Sequence, residues 1–247
     1  MNQQELRNEY VKLINLKSIE YAKDVIDRYS DFFMRVIWEH HPKPVNTQKL
    51  ADAKIIFQMF FSKLLSLRKA LDGISFKAKD GSFLNPIIDP TTFIPIVRTI
   101  YESVCAFEII YSIPDTEEKK DIVYNLWVKA GLEYRQRFAS GITNPELLKK
   151  IEEERKKIQD CKDFIENTLT YKKISKKGKD IVQTIMKEKE YKILITEDIV
   201  KKLSWQEISY QFGGEHIKDV FVNIYTYFSL YEHPSHVSQI FNLLPRI

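Results

Sequence analysis

The chain has 247 residues, of which 44% are hydrophobic and 13% aromatic, enough to build a buried core, so wholesale disorder is excluded. Seven glycines are too few for the many tight turns of a sandwich or barrel, and the composition predicts an all-α protein. A formal charge of +4, from 38 basic and 34 acidic residues, excludes a chain whose whole surface is a basic nucleic-acid face.

Residues 3–40 carry apolar side chains three and four apart, from Leu6 and Tyr10 to Phe33 and Val36. This predicts one long helix, or two in line if Ser30-Asp31 recaps the chain, ended by His41-Pro42-Lys43-Pro44. A second helix is expected from Asn46-Thr47 to about Leu71, with apolar residues around so much of its circumference that burial on more than one side follows. Gly73 stops it. Asp80-Gly81 is a turn signal between two short extended pieces, and Asn85-Pro86 and Asp89-Pro90 prolong this irregular stretch.

The third helix runs from Phe93 to about Tyr111, with Pro95 acceptable in its first turn. A fourth follows Asp115-Thr116, either of which can cap, and extends through Trp127 to Phe138. From Pro145 to about Tyr171 the pattern is a charged helix with one narrow apolar stripe, the start of a peripheral excursion over residues 145–190. Residues 172–192 hold eight lysines against Asp180, Glu188 and Glu190, and a solvated face is the simpler reading because only Tyr191 accompanies them. Thr196-Glu197-Asp198 predicts a short helix start, and Ser204-Trp205-Gln206-Glu207 has the spacing of a capping box. A last helix is expected from near Glu215 to the segment that ends in His233-Pro234. The simplest architecture is one helical domain over 1–247, an up-and-down bundle of many helices.

Two polar groups stand out against this apolar background. Arg98 and Glu102 lie one turn apart in the most apolar helix of the chain, where buried charges must be paired. Arg98 could hold an anion while Glu102 acts as acid, base or orienter; an intrahelical salt bridge is the structural alternative. Ser229 and His233 are also four apart, with Tyr225, Tyr227 and His236 close by, at a helix end where imidazole protonation responds to its surroundings. These residues form the candidate site: Arg98, Glu102, Ser229 and His233 as catalytic groups, Tyr225, Tyr227 and His236 as ligand-binding groups.

No cofactor or metal is expected. The chain lacks a Walker loop, a Rossmann glycine fingerprint, Cys-x-x-Cys, Gly-x-Ser-x-Gly and His-Glu-x-x-His, and His233 with His236 is too sparse to specify a metal. Cys105 and Cys161 cannot form a disulfide framework, and Cys105 reads as a core residue of a reducing compartment. The N-terminus lacks a basic stretch followed by an apolar one, and Ile55 to Leu67 is too polar and short to span a bilayer. A cytoplasmic, soluble protein without a membrane partner is expected; RNA or another anionic ligand and a second copy of the chain are the partners to test.

Arg35 with His40 and His41 has the Arg-x(4–6)-His spacing of the HEPN-type helical ribonucleases. The spacing is loose enough to arise by chance, and Val36 stands where those enzymes carry a polar residue, so this pair is not the leading site. The combination of Arg98-Thr-Ile-Tyr-Glu102 with Trp205, Gly213, Tyr225, Ser229 and His233-Pro-Ser235 resembles a family of uncharacterised bacterial helical proteins. Those proteins follow an Arg-x-x-Tyr/Phe-Glu helix, about a hundred residues on, with Tyr-x-x-x-Ser-x-x-x-His-Pro-Ser. The resemblance spans roughly residues 50–238 and implies that Arg98, Glu102, Ser229 and His233 form one constellation; it carries no activity.

Overall fold

The structure, a computed structural model, describes residues 18–197, 199–213 and 224–232. The described chain is mainly helical, with two small antiparallel strand pairs. Contacts gather it into two compact units, a finer division than the one domain read from the sequence. The first unit comprises residues 1–104 and 223–247, and the second residues 105–222.

In the first unit, α1 (Ile19–His40) starts at Ser18, whose side chain accepts from the Tyr21 amide, and passes through Ser30 without a break. It pairs with α2 (Gln48–Ala70), capped by Thr47. Their seam is aromatic and ionic. Phe33 meets Phe57 and Phe60 edge-on at 5.1 and 4.8 Å, and Arg68 grips both oxygens of Asp27 at 2.9 and 3.0 Å. The expected burial of α2 on more than one side is corrected: Leu64 is buried, but Leu50, Ile55, Met59 and Leu65 are exposed. The apolar pattern records how much of the helix could be covered, and among the described residues α1 covers only one stripe of it.

Strands β1 (Ile74–Lys77) and β2 (Phe83–Ile87) form the hairpin signalled by Asp80-Gly81. Gly81 takes φ +91°, and Asp80 accepts from the Ser82 amide and hydroxyl. Pro86 is tolerated because a two-stranded ribbon consists of edges.

Helix α3 (Pro90–Phe107) is capped by Asp89, which accepts from the Thr91 amide at 2.9 Å and the Thr91 hydroxyl at 2.7 Å. Pro90 holds the first helical position, so Pro95 lies in the second turn, beyond the first-turn place expected for it. There it removes the amide that would bond the Thr91 carbonyl. Helix α9 (Ile224–Glu232) packs on α3, burying Phe228 against Ile94, with Phe93, Val97 and Tyr101 around them.

The second unit opens where α3 passes into a π-helical turn, Glu108–Ser112, with Ile109 and Ile110 fully buried. At its centre lies α4 (Glu117–Arg135), flanked by α5 (Pro145–Asn167), α6 (Leu169–Lys173) and α7 (Lys176–Lys187). Ile122, Val123, Leu126 and Ala130 of α4 are buried, as are Cys161 and Ile165 of α5 and Val182, Ile185 and Met186 of α7. Part of the narrow stripe of α5 is thus core, while Leu148 and Phe164 on it are exposed and most of its charges face outward. Lys129 is buried as well; its ammonium donates to Glu133 at 2.8 Å and to the Met186 carbonyl at 2.9 Å, satisfying the end of α7.

Two local choices in this unit run against backbone preference. Gly131 sits inside α4, where glycine costs about 1 kcal/mol relative to alanine. Lys189 takes φ +59° just beyond α7, within a Schellman pattern in which the Glu190 amide bonds the Ile185 carbonyl and the Lys189 amide bonds the Met186 carbonyl. A side chain in the left-handed region costs roughly 1–2 kcal/mol, which is why glycine usually occupies this place.

Residues 196–203 do not open a helix as expected. Strands β3 (Ile193–Ile195) and β4 (Val200–Lys202) pair antiparallel there, Ile195 opposite Val200. The Thr196 hydroxyl accepts from the Ile199 amide at 3.0 Å, the bond an N-cap would make, but here it closes a turn between β-branched flanks. The capping box at Ser204 and Glu207 does form and starts α8 (Trp205–Gly213). The start expected near Glu215 lies outside the described residues.

Glu118 of α4 caps α6 from outside, accepting from the Thr170 hydroxyl, the Thr170 amide at 2.8 Å and the Leu169 amide at 2.9 Å. These bonds, the Thr170 hydroxyl's foremost, hold its carboxyl below the usual range against the opposing effect of burial. A depressed carboxyl contributes stability above the unfolded value of about 4.3, and that contribution disappears as pH falls through the folded value. Glu118→Ala should lower Tm at neutral pH by about 2–4 °C. In thermal melts from pH 7 to pH 3, the gap between variant and parent should close on the acid side.

Candidate functional site

The site forms where α9 meets α3. Arg98 and Glu102 fall one turn apart because four residues make slightly more than one turn of helix. Arg98 Nε donates to Glu102 Oε1 at 3.0 Å. Tyr225 completes the group from α9: Arg98 Nη2 donates to its hydroxyl at 2.6 Å, and that hydroxyl donates to Glu102 Oε1 at 3.1 Å. Three side chains, one of them more than 120 residues away in sequence, thus close a triangle of hydrogen bonds. The Arg98 guanidinium carbon also lies 4.7 Å from the centre of the Tyr225 ring, in cation–π contact.

Apolar packing holds α9 at this height. The Tyr101 ring lies 6.2 Å from that of Tyr225 and 6.5 Å from that of Phe228, and Phe228 is buried against Ile94. Tyr101, the aromatic of the Arg98-Thr-Ile-Tyr-Glu102 motif, is therefore a supporting residue that the sequence did not place in the site, although its position three residues after Arg98 puts it on a neighbouring part of the helix.

The triangle is partly accessible, with Arg98 and Glu102 side chains 18% and 28% exposed. Burial works against the charged form of Arg98, but hydrogen bonds to Glu102 and Tyr225 outweigh it and raise its pKa. Burial first, and then the Glu102 charge, push the Tyr225 phenol upward as well. The geometry therefore favours a charged guanidinium and a protonated phenol that donates to Glu102. Such a set can hold an anion at Arg98 and move a proton between Tyr225 and Glu102.

The other expected site residues lie differently. Ser229 donates to the Tyr225 carbonyl at 3.1 Å, so its hydroxyl bonds its own helix one turn back. Tyr227 is two residues from Tyr225, about 200° around an ideal helix, and is 46% exposed with its ring near Phe228. His233 and His236 lie outside the described residues. Arg35 and His40 share α1 but sit about 140° apart around it, and Arg35 donates to the Asp31 carbonyl.

Comparison with protein-family models, curated proteins and solved structures gives no match to this chain. Among the described residues, no helix is long and apolar enough to cross a membrane.

Tyr225→Phe keeps the ring and removes two bonds to charged partners, and should destabilise the protein by about 1–2 kcal/mol in denaturant melts. A phenol with a raised pKa contributes stability below its unfolded value of about 10, and loses it as pH rises through the folded value. The variant should lack this alkaline decline, which in the parent sets in above about pH 10.

Proposed function

We propose that the Arg98–Glu102–Tyr225 group is an acid–base site for an anionic substrate, in the class of phosphodiester cleavage with RNA as the first substrate to test. The convergence of an arginine, a carboxylate and a phenol at a partly accessible point carries this reading. Arg98 would neutralise a phosphate, with its planar donors matched to two oxygens. Glu102 would accept a proton and Tyr225 would relay or return it, a role suited to a phenol held in its neutral form. Ser229 lies one turn after Tyr225 and His233 follows four residues later in sequence, and the resemblance to the bacterial helical family supports grouping them. Cys105 and Cys161, buried thiols outside any disulfide, suit a reducing cytoplasmic compartment.

A second reading rests on two other observations. The triangle closes on itself, as a packing pin between two helices would, and the first unit exposes large apolar side chains, with Trp38 75%, Phe76 64% and Phe83 59% accessible. Such large exposed apolar side chains are available to a protein partner. On this reading the chain is a non-enzymatic interaction module and the polar group specifies how α9 docks on α3.

Fluorescent RNA incubated with the purified full chain, Arg98→Ala, Glu102→Gln and His233→Ala separates the readings. An acid–base site predicts cleavage by the parent and a loss of about 100-fold or more in each variant, with the Glu102→Gln fold retained. A parent without cleavage, together with a large fall in Tm in Arg98→Ala, would overturn the enzymatic reading and leave the interaction module.

A further inference from the structure

The lysine-rich stretch 172–192 has a different neighbourhood in space from the one it has in sequence. Its last residues, Lys189 to Lys192, face α4 across an open cleft of about 240 Å³. Ala130, Gly131, Trp127 and Tyr134 of α4 line it on one side, with Lys189, Glu190, Tyr191 and Lys192 completing the lining. The aromatic partners absent from the linear stretch are supplied by the fold.

Two residues that break backbone preference, Gly131 and Lys189, line this cleft. Gly131 is exposed and a side chain there would meet nothing within 4 Å, so packing does not require glycine at this point of the cleft lining. Lys189 holds a left-handed position that glycine would occupy more easily, and its ammonium lies 6.0 Å from the centre of the Tyr134 ring. Two unfavourable local choices at one concavity point to a use for the concavity.

Charge decides the ligand. Lys192 is paired with Glu190 and also lies over the Trp205 ring at 4.8 Å. Glu133 is paired with Lys129. Neither Lys189 nor Arg137, which lies 4.6 Å from the Tyr134 ring centre, is ion-paired among the described residues. Tyr134 and Tyr191 already face cations, which disfavours a cationic guest, and the open ring of Trp127 beside Lys189 suits a planar group joined to an anion. Its volume falls below the roughly 300–1,000 Å³ typical of drug-sized ligands and matches one ring system better than an extended molecule.

We propose that this cleft binds a nucleotide, with the base against Trp127, Tyr134 and Tyr191 over Gly131 and the phosphate at Lys189. This is a second site, and it does not depend on the α3–α9 reading. The same base-plus-phosphate chemistry is offered by a free mononucleotide and by one residue of a single strand.

Isothermal titration of the full chain with adenosine 5′-monophosphate, inorganic phosphate and a short oligoadenylate tests it. The monophosphate should bind with a Kd at or below about 1 mM and at least about tenfold more tightly than phosphate. Lys189→Gly and Gly131→Leu should each raise that Kd about tenfold or more while melting at or above the parent temperature, because both relieve a backbone cost. Lys187→Ala, an exposed lysine of α7, should leave the Kd unchanged. An oligoadenylate that binds about tenfold more tightly than the monophosphate identifies strand binding; equal affinity identifies a free nucleotide. The proposal is overturned if the monophosphate gives no saturable heat, if phosphate binds equally well, or if Lys189→Gly binds as the parent does.

Discussion

A single oxygen atom, the Tyr225 hydroxyl, joins α9 to α3 through polar chemistry. It accepts from Arg98 and donates to Glu102, using both kinds of hydrogen-bonding capacity a phenol has. The pattern fixes position: Arg98 donates to both partners, and the phenol between them, whose pKa burial raises, is held in its neutral form. Opposite charges a few ångströms apart in a partly buried place are tolerated because each is hydrogen-bonded to a third group. Phe228 against Ile94 contributes apolar burial, which is non-directional and would allow α9 to slide or turn. The triangle selects one height and one rotation.

The same feature bears on both readings of function. A closed triangle has its strongest hydrogen-bonding capacity already engaged, so an incoming anion must draw donors from Arg98 in competition with Tyr225. Such competition is useful if binding is meant to free the phenol or the carboxylate for proton transfer, and costly if the group exists only to specify packing. The partial exposure of Glu102 keeps the first possibility physically open, because a carboxylate that solvent reaches can exchange protons with a bound group.

The sequence disclosed the parts whose causes are local. The periods of α1 and α2, the Asp80-Gly81 hairpin, the cap at Thr116 and the box at Ser204 and Glu207 each follow from residues within one turn of each other. The pairing of Arg98 and Glu102 was legible for the same reason. That the last helix supplies a partner was legible from the concentration of polar residues there, whereas the choice of Tyr225 over Tyr227 depended on the rotation of α9. Thr196 misled because the same hydroxyl-to-amide bond serves a helix start and a turn, and the flanking strands decided between them. The exposed residues of α2 misled because periodicity reports apolar faces without saying how many have neighbours.

The lysine-rich stretch shows a further limit, and a way past it. Read along the chain, Lys172 to Lys192 is a solvated run because only one aromatic residue lies within it. What changes its meaning is α4, some fifty residues earlier, which brings Trp127, Gly131 and Tyr134 to its C-terminal end. No periodicity or spacing encodes that encounter. Yet two of its members carry a signature visible without any ligand: a glycine in a helix interior with open space before it, and a lysine in a backbone region suited to glycine. Each choice opposes local stability, and such choices persist when the surrounding structure offsets their cost. Unsatisfied local preference, traced to where it converges in space, locates a site that composition alone assigns to solvent.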